Sequence, residues 1–265
     1  MPARILHVSD LHLGRRETPE VGDAVRELAA RLEPELVVAT GDLAHRGRRA
    51  ELERAAAFLR GLGRPLLAVP GNHDIPYTLP ARAWWPFAEW QRVFGETAPV
   101  YRSETLVVCG LNSVRPWRHQ DGALRASEVA AAAAVLREAP PGALRVVAFH
   151  HHVASAPWRT RKPPVADRDA VLRALADAGA ELVLSGHVHQ AGAAERREFE
   201  VLEGPARGLL VLATVAGLGR PRPRRRGEAR GVNVYEADAG SLTATTYAWD
   251  GAGLVELARR SFPRG

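Results

Sequence analysis

The feature that most constrains this chain is a repeated punctuation, in which short runs of β-branched and apolar residues stop abruptly at carboxylate, amide or imidazole side chains. "RILHVS" runs into Asp10-Leu11-His12, "ELVVAT" into Gly41-Asp42, and "PLLAV" into Asn72-His73-Asp74. "LRVVAF" runs into His150-His151-His152, and "AELVLS" into Gly186-His187-Val188-His189. Between the runs lie Ala/Leu/Arg segments of helical period, the pattern of an α/β protein with helices layered on sheet. The runs "LVVCGL", "GLLVLAT", "GVNVYEAD" and "LTATTYAW" read as further strands. Helices are expected near Val21 to Leu32, Arg49 to Leu62, Ser127 to Glu138 and Arg168 to Ala178, with Ser127 as an N-cap and Gly179 as a stop. No fixed-period repeat and no long linker breaks this pattern, so one domain over residues 1–265 is expected.

In an open α/β sheet, the C-terminal ends of the strands line the crevice where ligands bind. Asp10 and His12, like His187 and His189, are two residues apart, so in extended chain each pair faces one way. Gly41, Gly71 and Gly186 precede these groups and allow close backbone approach or positive φ. Taken singly, each residue has an ordinary alternative: Asp10 or Asp42 as a cap, Asn72 and Asp74 as turn formers, His73 on the surface. Five such clusters at five strand ends point instead to a metal site. Mixed imidazole and oxygen donors suit borderline dications such as Mn, Fe, Zn or Co.

Composition narrows the function classes. The 265 residues, 46% of them hydrophobic, suffice for a sizeable core. No run of 18 apolar residues occurs and the first strand begins at Arg4, so a cytoplasmic location is expected, with no membrane partner. The sole cysteine, Cys109, excludes an intramolecular disulfide. A net charge of +6 would suggest nucleic acid, but nearly every basic residue is Arg, Lys162 is the only lysine, and the helices are filled with Ala. That is a compositional bias, and it weakens the inference. The densest cluster, Arg220 to Gly231, is punctuated by Pro and Gly and reads as a solvated loop. Nucleic acid is therefore not the favoured partner.

The order D-x-H, G-D, G-N-H-D, H and G-H-x-H, from Ile5 to His189, resembles the calcineurin-like metallophosphoesterases. Within them, "GNHDIP", the aromatic helix "ARAWWPFAEWQRVF" and "LSGHVHQ" resemble bacterial proteins grouped with the class III cyclic-nucleotide phosphodiesterases. The resemblance implies a β-sandwich flanked by helices with two divalent metals at the strand ends. It gives Asp10, His12, Asp42 and His189 to one metal, and Asp42, Asn72, His150 and His187 to the other, with Asp42 bridging. His150 is chosen over His151 as the residue nearest its strand end; His152 stands where many relatives have Pro. The implied chemistry is in-line attack of a metal-bridging hydroxide on a phosphoester. His73 would stand at the leaving group as proton donor or electrostatic stabiliser, with Asp74 orienting its ring.

Two Pro-Trp-Arg segments leave the same edge, suggesting a substrate rim in which Trp117 or Trp158 stacks a base and Arg118 or Arg159 meets phosphate. The alternative is loop anchoring by the aromatics. Trp84, Trp85, Phe87, Trp90 and Phe94 are expected to pack a helix onto the sheet or to form a homodimer contact. The leading function is hydrolysis of small phosphodiesters, cyclic nucleotides among them. The alternatives are a nuclease, since "ILHVSDLHLG" also resembles the opening of the bacterial double-strand-break exonuclease subunit, a phosphomonoesterase or protein phosphatase, and a metal-free binding scaffold.

Overall fold

The computed structural model describes residues 2–14, 19–118, 120–154, 162–198, 208–219 and 229–264. Among the described residues twelve strands lie in two six-stranded sheets. The first is ordered β12 (Leu254–Pro263), β11 (Ser241–Trp249), β10 (Gly231–Ala237), β1 (Ala3–Val8), β2 (Leu36–Ala39), β3 (Leu66–Ala68). The second is ordered β4 (Val100–Arg102), β5 (Leu106–Gly110), β6 (Leu144–Ala148), β7 (Leu182–Ser185), β9 (Val211–Thr214), β8 (Gly192–Glu195). Strands β1 to β3 run parallel, as do β5, β6, β7 and β9; antiparallel strands complete both sheets.

Successive side chains on a strand face opposite ways, and this alternation builds the layers. Ile5, Val38, Leu67, Val108, Val146, Leu184 and Val211 meet in a core between the sheets. Their neighbours Leu6, Val37 and Ala39 face outward, against α1 (Pro19–Leu32), α2 (Arg49–Arg60) and α4 (Ala88–Phe94). Val107, Cys109, Val147 and Val183 likewise meet α5 (Ala126–Arg137) and α6 (Arg168–Asp177). Each fully buried Leu in these layers, such as Leu52 or Leu172, contributes about 1.5–3 kcal/mol. The architecture is the expected β-sandwich flanked by helices. Among the described residues no helix is long and apolar enough to cross a membrane.

Two local expectations are corrected. Ser127 is not the N-cap of α5: Arg125 holds that place in extended conformation, and its N–H donates to Glu128 Oε2 at 3.3 Å. A carboxylate in the first turn satisfies a terminal N–H and favours the positive helix end, so the serine is not needed there. The aromatic stretch is not one helix either. It divides into α3 (Ala81–Trp84) and α4 on either side of Pro86, and only Trp90 is fully buried, its ring stacked on Phe94 at 4.5 Å. Trp84 and Trp85 remain exposed. Gly179, at φ +81°, does follow α6 as its stop.

Candidate metal centre

Backbone conformation singles out one end of the sandwich. Among the described residues seven non-glycines have positive φ, and five of them are Asp10 (54°), His12 (47°), Asp42 (52°), His187 (69°) and His189 (57°). Such conformations cost of order 1–3 kcal/mol each and persist where surrounding structure enforces them. The enforcement is visible. Asp10 N–H donates to Gly41 O at 2.9 Å, His12 N–H to Asp42 O at 2.9 Å, and His187 N–H to Asp10 Oδ2 at 3.0 Å. The loops after β1, β2 and β7 are thus laced together across both sheets. Glycine is required at two close approaches: a Cβ at Gly71 would lie 2.2 Å from Asp42 N, and one at Gly186 would lie 2.0 Å from Ser9 Oγ.

The side chains form two groups that meet at Asp42, the first partly and the second fully buried. In the first, His189 Nε2 lies 3.0 Å from Asp10 Oδ1 and 3.3 Å from His12 Nε2, which is 3.8 Å from Asp42 Oδ2. In the second, His150 Nε2 lies 3.2 Å from Asn72 Oδ1, 3.1 Å from His187 Nδ1 and 3.4 Å from Asp42 Oδ2. Donors bound to one transition dication at about 2.0–2.2 Å stand roughly 3–3.5 Å apart, so both donor sets fit an ion. Supporting contacts aim them. Asp42 Oδ1 accepts the His73 N–H at 2.8 Å, leaving Oδ2 between the two groups. His150 Nδ1 donates to Thr40 O at 2.7 Å, which leaves Nε2 with its lone pair facing inward. Asp10 Oδ1 is fully buried, with His189 Nε2 as its close neighbour at 3.0 Å.

The electrostatics agree. Burial would raise the carboxyls of Asp10 and Asp42, but His189 beside the first and His150 beside the second hold both below the usual carboxylate range. Burial lowers His12 to about 3 and His187 well below its ordinary value, so both present neutral lone pairs. Burial also works against a charge on His150, yet the Asp42 carboxylate overrides it and pushes His150 up to about 9. Without metal the added proton sits on Nε2, beside the Asp42 carboxylate, and a dication would displace it and take the lone pair.

Asp74 is corrected. It does not orient the His73 ring, because its Oδ1 accepts the Ala44 N–H at 2.7 Å and its Oδ2 the Gly71 N–H at 2.8 Å. The turn closed by Asp74 N–H on Gly71 O bends this carboxylate back into its own loop, away from the imidazole. The His73 ring is held by backbone instead: Nδ1 donates to His45 O at 2.9 Å, and the ring stands edge-on to His12 at 4.8 Å. His45 itself went unread in the sequence; its ring lies parallel to that of His73, 5.9 Å away.

His151 turns to Ser113 Oγ, 2.8 Å from its Nδ1, while His150 enters the centre. Trp117 and Arg118 lie exposed on the turn after β5, whereas Trp158, Arg159 and the Arg-rich positions 220–228 lie outside the described residues. Two rim residues were missed. Tyr77 is half exposed, with its ring 5.9 Å from that of His73. Arg82 is buried and bonds Pro76 O at 2.9 Å and Pro116 O at 2.7 Å, tying the Tyr77 loop to the Trp117 turn. No local pattern announces Arg82; only folding brings those two carbonyls together.

Residues 3–191 match the calcineurin-like phosphoesterase family. The chain is 31% identical over 206 residues to a Synechococcus protein described as a probable cyclic nucleotide phosphodiesterase, covering 72% of this chain and 75% of that one. It is 28% identical to a cAMP/cGMP dual specificity phosphodiesterase of Mycobacterium tuberculosis, covering 70% of this chain and 61% of the relative. In fold it is similar to a yellow lupin purple acid phosphatase (TM-score 0.72, 11% identity, 99% of this chain), of which it spans 54%. It is also similar to a dimetal phosphatase from Danio rerio (TM-score 0.66, 14% identity, 100% of both chains). From the ordered motifs, the sandwich and the paired donor groups, the chain belongs to the calcineurin-like phosphoesterase family of metal-dependent phosphoester hydrolases.

Proposed function

We propose that the chain is a dinuclear metal-dependent phosphodiesterase of small diesters, with cyclic nucleotides as the substrate class, working as one domain over its 265 residues in the cytoplasm. The observation that carries this reading is Asp42 Oδ2, 3.8 Å from His12 Nε2 on one side and 3.4 Å from His150 Nε2 on the other. One carboxylate oxygen shared by two donor sets is what a metal pair requires. Asp10, His12, His189 and Asp42 would hold one ion, and Asp42, Asn72, His150 and His187 the other. Bound dications of this kind supply Lewis acidity and a water nucleophile at neutral pH; Mn, Fe, Zn and Co all suit the donors.

The chain's own groups do the rest. His73, with Nδ1–H committed to His45 O, keeps Nε2 for the departing oxygen, so in the imidazolium form it can deliver a proton there. Asp74 maintains the loop that carries it. Tyr77 and Trp117, joined through Arg82, offer apolar faces at the mouth on which a base can stack. The names of the two bacterial relatives support a nucleotide substrate. The buried, unpaired Cys109 thiol is consistent with a reducing compartment.

Metal analysis of the purified protein, joined to hydrolysis assays on a cyclic nucleotide, a linear diester, a monoester and single-stranded DNA, tests the reading. Two dications per chain and preferential diester turnover are expected. Full activity in a demonstrably metal-free preparation would sink it.

A further inference from the structure

The chain's only lysine stands at the donor set on the His150 side. Lys162 Nζ lies 3.3 Å from His187 Nδ1, the same nitrogen that faces His150 Nε2 at 3.1 Å, and it donates to the His187 carbonyl. The segment bearing it is anchored just beyond, where buried Val165 donates its N–H to His152 O at 2.8 Å and Ala166 to Gly122 O at 2.9 Å. In a chain that uses Arg for almost every other positive charge, an ammonium thus borders the centre. With Asp10 and Asp42 ionised and two dications bound, the centre carries a formal charge of about +2 before Lys162 is counted. Lys162 raises it by one.

That added charge bears on which phosphate species binds. A diester is a monoanion, whereas monoesters are largely dianions near neutral pH and inorganic phosphate is roughly half so. We propose that Lys162 is a substrate-contacting residue, its ammonium binding a non-bridging phosphate oxygen on the His187 side and giving the centre affinity for phosphate dianions. The inference rests on the metal-dependent reading above. It implies that the monoester product of diester cleavage is held by this contact and leaves slowly.

The test compares wild type, Lys162→Met and Lys162→Arg, each reconstituted with Mn, with metal content measured. A hydrogen bond to a charged group is worth about ten- to a hundredfold in affinity. Inhibition by inorganic phosphate should therefore weaken by about that factor in Lys162→Met, the KM for bis-para-nitrophenyl phosphate should rise less, and Lys162→Arg should recover most of the loss. A second readout needs no turnover. Because the chain has one lysine, reductive methylation followed by peptide mass spectrometry reports Lys162 against the α-amino group. Inorganic phosphate should protect Lys162 in the Mn-loaded wild type over the same concentration range in which it inhibits. Unchanged phosphate inhibition in Lys162→Met, or no protection, overturns the proposal. So does tighter metal binding with phosphate affinity intact, which would make Lys162 a competitor of the second ion. A wild type that binds no metal overturns this inference and the proposed function together; a metal-loaded, active wild type with an indifferent Lys162→Met variant overturns this inference alone.

Discussion

Replacing Asp74 by Asn separates a loop tie from a partner of the His73 ring. The carboxyl accepts two buried backbone N–H groups, from Ala44 at 2.7 Å and Gly71 at 2.8 Å. Asparagine has one oxygen, so one of those N–H groups must face an NH2 donor. Burial, and then repulsion from Asp42, raise Asp74 to about 8, so in the metal-free protein it is largely protonated near neutral pH. The lost bond is then a neutral one, worth about 0.5–1.5 kcal/mol, and the stranded buried donor costs about 1–3 kcal/mol more. The expected destabilisation is roughly 2–4 kcal/mol, or roughly 5–15 °C in Tm for a chain of this size. Denaturant unfolding of metal-depleted wild type and variant in parallel measures it. The pH dependence has a sign. A carboxyl that binds its proton more tightly folded than unfolded contributes stability that is full at acid pH and is lost as pH rises to about 8, so the gap between the proteins should be widest at acid pH, narrow steadily up to about 8 and stay level beyond it. Unchanged stability, with activity lost only on esters of poor leaving groups, would refute the argument and restore Asp74 as the ring's orienter.

Asp42→Asn should release both ions and lose far more activity than His12→Ala, because it serves both donor sets; metal analysis alongside turnover checks this. His73→Ala should keep its metals yet lose about 10²–10⁴ in rate on a sugar alkoxide leaving group. It should lose little on nitrophenyl diesters, so equal slowing of both would count against proton donation. Arg82→Met removes two bonds to loop carbonyls and should raise KM for nucleotides several-fold while sparing a small nitrophenyl diester; parallel Michaelis curves decide it.

What could be read from the chain without its fold followed its periodicity. "ELVVAT" and "LRVVAF" announce strands because their alternate residues are buried in two different layers. β12, whose sequence "LVELARRSFP" is mostly exposed, and the short edges β4 and β8 carry too little apolar signal to be seen. Asp10, His12, Asp42, His187 and His189 were legible because strand ends are where such groups become useful. Asp74 was misread because its partners, the Ala44 and Gly71 amides, are defined only once the loops after β2 and β3 lie side by side. His45, Tyr77 and Arg82 sit on connecting segments, where no period marks which way a side chain turns. Pro86 could have warned that the aromatic stretch would break.

The left-handed backbone at Asp10, His12, Asp42, His187 and His189 also acts as a filter on inheritance. At each position glycine would relax the main chain, and asparagine would sit there more readily than histidine. A lineage released from the demand for phosphoester chemistry would gain by drifting toward those residues, because mutation erodes whatever strain selection no longer defends. Three imidazoles and two carboxylates held in that posture are therefore the positions at which a loss of the chemistry would first be written into the sequence.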